Sequence, residues 1–252
     1  MNIAQHKQLG RAPMLIGAFF DIDGTLLGPP SLERRFLRYL RWRGALSAAH
    51  WARWLGRFLR LAGSDWIAAT EGNKAHLAGL PVATVGAFTA SLHRWPLKFF
   101  PEALQRLEWH AVQGHAIFLV SGTLAPLAEL VARQLLLLVI PCATWLEVVG
   151  DRWTSEVVGE AVSGPGKARG VERLTAEHRI DLARSYAYGD SWNDRWMLER
   201  VGYPAAVNPG VRLARLARQR GWPVLRWGEA NSPEQSASPA ALEMTATTGR
   251  SQ

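Results

Sequence analysis

The sequence predicts an α/β protein: a parallel sheet covered by helices, with a helical stretch inserted after its first strand. Three observations carry this. From Pro101 onward, short apolar runs alternate with helical patterns, which is the signature of strands joined by covering helices. Met14 to Phe20 is a short apolar run of the kind that makes a buried strand, and it stops at Asp21-Ile22-Asp23-Gly24-Thr25. Between these regions the apolar residues recur at helical spacing.

Taken in order, Gly28-Pro29-Pro30 breaks the chain after the first strand. Leu32, Phe36, Leu37 and Leu40 then mark one helix. After a cap-like Ser47, Trp51, Trp54, Leu55, Phe58 and Leu59 mark a second, with Arg53, Arg57 and Arg60 on a different face from most of them. A third helix is predicted to start near Asp65 and a fourth to follow Pro81. Glu102 to Gln113 reads as a helix ended by Gly114, His115 to Val120 as a strand and Leu124 to Leu137 as a helix. Trp145 to Val149 and Trp153 to Val158 flank Gly150-Asp151 and predict a hairpin. Lys167 to His178 is predicted helical, and Ser185 to Tyr188 is a strand that stops at Gly189-Asp190. Ala205 to Val207 and Val224 to Trp227 are short strands around a basic helix from Val211 to Arg220. Beyond Gly228 the chain is rich in Ser, Pro, Thr, Ala and Glu without periodicity, which predicts disorder.

Composition narrows the class. The chain has 252 residues, 48% hydrophobic and 20% charged, enough for a sizeable core. The single cysteine, Cys142, excludes an intrachain disulfide. The best candidate for a membrane span, Leu135 to Ile140, falls far short of the ~20 apolar residues required. Met1 to Gly10 is polar and lacks a secretion signal, so the chain reads as cytoplasmic. The net charge is +8 and there are twelve tryptophans. Residues 31–100 hold eleven Lys+Arg against three Asp+Glu, so the rest of the chain is balanced by count. This stretch also holds five of the tryptophans, which read mostly as core because Trp54 and Phe58 share a face. An anionic lipid surface is the sharper partner for such a helical, Arg- and Trp-bearing segment. Nucleic acid is disfavoured, because no recognised nucleic-acid module is present.

The chemistry lies where the predicted strands end. Asp21 and Asp23 follow the first strand, Ser121-Gly122-Thr123 the second, and Asp190, Asn193 and Asp194 a later one. Lys167 sits in a Gly-Pro-Gly loop that opens a helix. Ligands of open α/β sheets bind at the carboxyl ends of the strands. Each motif alone is commonly a turn or cap; the ordered combination points to phosphoryl transfer. Carboxylates from two strand ends suit a hard cation such as Mg²⁺. One carboxylate can act as nucleophile, and a second two residues on can move the proton. A hydroxyl, loop N–H groups and an ammonium can hold phosphate oxygens.

In these residues the sequence resembles the haloacid dehalogenase superfamily of phosphohydrolases, closest to its phosphoserine-phosphatase-like branch (subfamily IB). Phe20-Asp21-Ile22-Asp23-Gly24-Thr25-Leu26 resembles the first family motif and Val120-Ser121-Gly122-Thr123 the second. Gly166-Lys167-Ala168 resembles the third and Tyr188-Gly189-Asp190-Ser191-Trp192-Asn193-Asp194 the fourth. The resemblance implies a Rossmann-like core over 14–30 and 101–228, a helical cap over 31–100, and disordered termini at 1–13 and 229–252. It implies Asp21 as nucleophile and Mg²⁺ ligand, Asp23 as general acid/base and backbone ligand, and Asp190 as the third metal ligand. It makes Asp194 a support for the metal water. Ser121, Gly122 and Lys167 would bind the transferring phosphoryl group, and Asn193 would contact it or the substrate, a small phosphorylated molecule. The activity implied is Mg²⁺-dependent phosphomonoester hydrolysis through an aspartyl-phosphate, on a small organic or lipid phosphate. The alternatives are a phosphoserine phosphatase, or an inactive protein that binds anionic membrane or nucleic acid through the basic cap. Phosphoserine phosphatases carry a Glu soon after the first motif and a cap Arg before a Leu-Pro pair. Here Pro30 stands near the first place, with Glu33 three residues on, and Asn73 and Lys74 stand near the second, before Leu80-Pro81.

Overall fold

All six strands of the central sheet run in the same direction. The computed structural model describes residues 14–64, 66–70 and 72–228, so both termini predicted to be disordered lie outside the described residues, as does Asp65. The chain opens with β1 (Gly17–Phe20) and then enters four helices: α1 (Leu32–Trp42), α2 (Ala48–Leu61), α3 (Trp66–Thr70) and α4 (Thr84–Ala90). It continues through α5 (Pro101–Val112), β2 (Ala116–Leu124), α6 (Ala125–Gln134) and β3 (Val139–Thr144). A hairpin of β4 (Leu146–Val149) and β5 (Arg152–Val157) precedes α7 (Pro165–His178). The last elements are β6 (Tyr186–Gly189), α8 (Arg195–Leu198), β7 (Tyr203–Val207), α9 (Val211–Arg220) and β8 (Val224–Leu225). The sheet order is β3-β2-β1-β6-β7-β8, and the hairpin forms a separate antiparallel pair.

This topology explains why β1 reads as continuously apolar. It lies between β2 and β6, and side chains alternate between two covered faces. Ala18 and Phe20 join one core with Leu107, Leu127 and Leu130 from α5 and α6. Phe19 joins the other with Val171, Met197 and Leu213 from α7, α8 and α9. The strand order reverses at β1/β6, the point where open α/β sheets bind their ligands.

The helical segment is not a free appendage. Leu32, Phe36, Tyr39 and Leu40 of α1 and Phe88 of α4 belong to the same core as Phe20, and Trp153 of the hairpin meets Phe36 edge-on at 6.4 Å. The backbone of Trp153 bonds Leu80 and Gly79, which lays β5 along residues 79–82. Where the chain leaves and rejoins the sheet layer, the two passages pair: Gly28 N–H donates to Lys98 and Phe100 N–H to Leu26. Arg35 fixes this crossing. Its buried guanidinium donates to the carbonyls of Gly28, Pro29, Pro30 and Pro96 at 2.9–3.2 Å.

Two expectations need correction. β3 is absent from the sequence reading, because the Leu135–Ile140 run continues the apolar pattern of α6 past the helix end. The tryptophans of 31–100 are not mostly core: Trp42, Trp51 and Trp66 are exposed, and α2 contains no buried residue. Among the described residues no helix is long and apolar enough to cross a membrane.

Arg35→Met should keep the stem packed but orphan four carbonyls. Charged hydrogen bonds of this type contribute about 1.5–3 kcal/mol, so urea unfolding should show a loss of roughly 2–3 kcal/mol. Unchanged stability would deny Arg35 its anchoring role.

Candidate functional site

The carboxyl end of β1 places Asp21 in the buried centre of the sheet, where its N–H donates to Tyr188 of β6 at 3.0 Å. The turn that follows needs Gly24. Its φ is +86°, and a Cβ there would run into the Asp190 carboxylate. Two adjoining strand ends can therefore bring Asp21 and Asp190 together. Asp23 turns the other way, and its Oδ1 accepts from the Leu32 N–H at 2.6 Å, at the start of α1.

Lys167 links three elements. It sits in the first turn of α7, buried, and its Nζ donates to Asp21 Oδ1 at 2.5 Å and to Asp194 Oδ1. Gly166 permits this approach, because a Cβ there would collide with the Ala161 carbonyl. Asp194 ends a 3-10 turn (Trp192–Asp194) after β6. Its Oδ2 accepts from the backbone of Asp190 and from the backbone and hydroxyl of Ser191, at 2.7–3.1 Å. Ser191 is the residue sequence reasoning passed over here, although Ser three places before Asp is a capping pattern. Asn193 lies half-buried in the same turn.

At the end of β2 the register against β3 shifts between Ser121 and Leu124, so Ser121-Gly122-Thr123 occupies a local irregularity. Ser121 is buried, and its Oγ accepts from Thr123 N–H at 3.3 Å. A Cβ on Gly122 would meet the Ser163 Cβ at 3.2 Å, which sets this bulge against the approach to α7. The structure thus gathers Asp21, Asp190, Asp194 and Lys167 in direct contact or near it, with Asp23 on the α1 side. It sets Ser121 and Gly122 at the neighbouring strand end.

The electrostatics follow from burial. Asp21 is pushed up to about 7, first by burial and then by Asp194, against the pull of Lys167. Asp190 is pushed up to about 9 by burial and by the charges of Asp194 and Asp21. Asp23 rises to about 6, chiefly by burial, while its bond to the Leu32 N–H opposes the rise. Burial pulls Lys167 down, but Asp194 and Asp21 outweigh it, so the ammonium stays charged.

Oxygens of Asp21, Asp190 and Asp194 all lie within 4.8 Å of one another, a hard donor set that fits a divalent cation. Asp194 has both oxygens engaged, so Asp21 Oδ2 and Asp190 are the oxygens that could meet such an ion. The buried hydroxyls of Thr25 and Thr123, from the motifs on either side, have no hydrogen-bond partner among the described residues. On the α1 side, Lys74 is buried and meets Glu33 at 2.5 Å. Asn73 instead serves the fold, donating to the Trp54 carbonyl and accepting from Ala75 N–H.

Comparison with known proteins gives the family. The profile of the haloacid dehalogenase-like hydrolases matches residues 18–199. Phosphoserine phosphatase SerB1 of Mycobacterium tuberculosis is 31% identical over 242 residues, covering 92% of this chain and 77% of that protein. A histidinol-phosphatase of Neisseria meningitidis is 28% identical over 227 residues, covering 83% of this chain and 98% of its own. Among solved structures, a Bordetella pertussis protein of unknown function superimposes with a TM-score of 0.70 at 25% identity, covering 84% of this chain and 99% of its own.

The raised carboxyls set the sign of a pH effect. Near pH ~7 Asp21 and Asp190 hold protons that a cation must expel, and by pH ~9 most are gone. Calorimetric titration with Mg²⁺ in buffers of different ionisation enthalpy should show proton release near neutrality and tighter binding as the pH rises. Affinity independent of pH would contradict these assignments.

Proposed function

The chain belongs to the haloacid dehalogenase-like hydrolases and is a phosphatase of their phosphoserine-phosphatase-like kind; from this premise we propose that it hydrolyses a phosphate monoester through a phosphoryl group carried on Asp21. The observation that carries the reading is the buried contact of Asp21 with Lys167, beside Asp190 and Asp194. A Mg²⁺ ion held by Asp21, Asp190 and the Asp23 backbone would neutralise charge on the transferring group and screen the nucleophile from it. Lys167, Ser121 and the N–H groups around Gly122 would hold its equatorial oxygens, and Asn193 would contact it or the substrate.

An Asp21 oxygen attacks phosphorus, and the bond from phosphorus to the ester oxygen breaks as Asp23 gives that oxygen its proton. Asp23 then takes a proton from water, whose oxygen attacks phosphorus and releases inorganic phosphate and free Asp21. A carboxyl near 6 is placed to do both jobs. Lys167 aims Asp21 by holding its Oδ1, and its charge favours the carboxylate form against burial. The segment 31–100 would act as a cap on the core of 14–30 and 101–228, with Arg35 at the crossing between them.

The leaving group is taken to be a small organic or lipid alcohol. One observation favours a second reading, phosphoserine. Glu33 and Lys74 pair on the Asp23 side, and both charges are felt at the Asp23 carboxyl. Such a pair would offer a carboxylate to an amine and an ammonium to a carboxylate, and SerB1 carries that substrate in its name.

A panel of phosphoserine, sugar phosphates, nucleotides and lipid phosphates, run with and without chelator, tests the proposal. Phosphate release should need the divalent ion, and Asp21→Asn should lose about a thousandfold or more in kcat. Turnover that survives exhaustive chelation, or survives in Asp21→Asn, would overturn it. If phosphoserine is the substrate, Lys74→Met should raise its KM while sparing p-nitrophenyl phosphate.

A further inference from the structure

Helix α2 is amphipathic in an unusual sense, because part of its apolar side is left in water. Trp54 and Phe58 lean inward and stack on each other at 5.4 Å, and Arg57 reaches Glu156 of the hairpin at 2.7 Å. On the outer side, Trp51, Leu55 and Leu59 follow one another at four-residue steps and are 40%, 50% and 67% exposed. Trp66, just past the helix, is 63% exposed and meets Phe58 edge-on at 5.7 Å, and Trp42 at the end of α1 lines one groove with Trp51. Large apolar side chains exposed at successive turns of one helix mark an interaction surface rather than scattered exposure.

The surroundings of the stripe are basic. From Arg34 to Ser64 the sequence has eight arginines and no Asp or Glu. Arg35 and Arg57 are committed to the contacts described above. Among the described residues, none of the other six forms an ion pair. Three of them, Arg34, Arg38 and Arg41, line a groove of about 600 Å³ between α1 and α2, together with Leu37, Trp42 and Trp51. Arg53 and Arg60 border the far edge of the stripe, both exposed. Arg94 stacks over Trp42 at 5.0 Å, adding a further cation to the groove's rim.

We propose that this face docks the protein onto an anionic phospholipid bilayer. Trp42, Trp51, Leu55, Leu59 and Trp66 would enter the boundary between headgroups and acyl chains, and the groove arginines would take headgroup phosphates. Charge selects this occupant. In a second copy of the chain placed on the same face, these five arginines would confront five, which opposes association. A bilayer of anionic lipid offers apolar depth and negative charge together, while the remainder of the chain is balanced by count. The proposal stands independently of the catalytic reading. The docking face is nevertheless connected to the site: Trp51 stacks on His76 at 6.0 Å, two residues beyond Lys74.

The test is co-sedimentation of the full chain with vesicles of phosphatidylcholine alone and of phosphatidylcholine with phosphatidylglycerol, at low and high salt. Binding is expected only with phosphatidylglycerol, weakened by salt, with a blue shift of tryptophan fluorescence. Leu55→Glu combined with Leu59→Glu should cut the bound fraction about tenfold or more while hydrolysis of p-nitrophenyl phosphate persists, which reports an intact fold. Three results would overturn the proposal: no binding to phosphatidylglycerol vesicles at low salt, binding undiminished in the double variant, or a dimer in sedimentation velocity that the double variant dissolves.

Discussion

The ammonium of Lys167, buried between Asp21 and Asp194, is the contact on which the rest of the site depends. Two carboxylates this deep and this close repel each other and resist ionisation. A cation between them opposes that, and the pull of both anions keeps it charged. Because Asp21 ends β1, Asp194 follows β6 and Lys167 opens α7, one ammonium fixes three elements at the point where the strand order reverses. The local backbone is arranged to permit it. Gly24, Gly166 and Gly189 each lack a Cβ that would strike, respectively, Asp190, the Ala161 carbonyl or Asp194. Removing the lysine would leave like charges facing each other without compensation.

Much of this was legible in the sequence, for a physical reason. Chemistry at strand ends demands particular residue types at element boundaries, so Asp21, Ser121, Lys167 and Asp190 stood out against the apolar runs before them. The parallel sheet followed from the same alternation. What escaped has its own causes. β3 follows α6 through an apolar run with no polar break before Pro141, and periodicity alone does not separate a helix end from a buried strand. Spacing left Asn73 and Lys74 as equal candidates, and only packing distinguishes them, with Asn73 bonded to the Trp54 carbonyl and Lys74 paired with Glu33. Arg35 looked like one more arginine of a basic helix, yet it is a buried donor to four carbonyls.

The tryptophans teach the sharpest lesson. Helical spacing in α2 showed apolar residues on one broad arc, and the natural inference was burial. The arc is wider than the contact: Trp54 and Phe58 use its inner edge, while Trp51, Leu55 and Leu59 remain outside. Periodicity reveals that a face exists and is silent about what covers it. The same holds for charge. The excess of +8 that marks the whole chain is confined to 31–100, and its exposed part borders that uncovered arc. An acidic site under a basic, apolar-faced segment would separate two tasks in space, with the proposed metal and phosphoryl chemistry at the sheet and the proposed surface attraction on the helices.

The central claim, that Asp21 carries the phosphoryl group, is met most directly by trapping it. Asp23→Asn should spare the first step with p-nitrophenyl phosphate, whose leaving oxygen needs no proton, and stall the second, which needs a base. Acid quenching followed by peptide mass spectrometry should then find one phosphoryl group on the peptide containing Asp21. A phosphoryl group on any other residue, or none while the variant still turns over, would contradict the account.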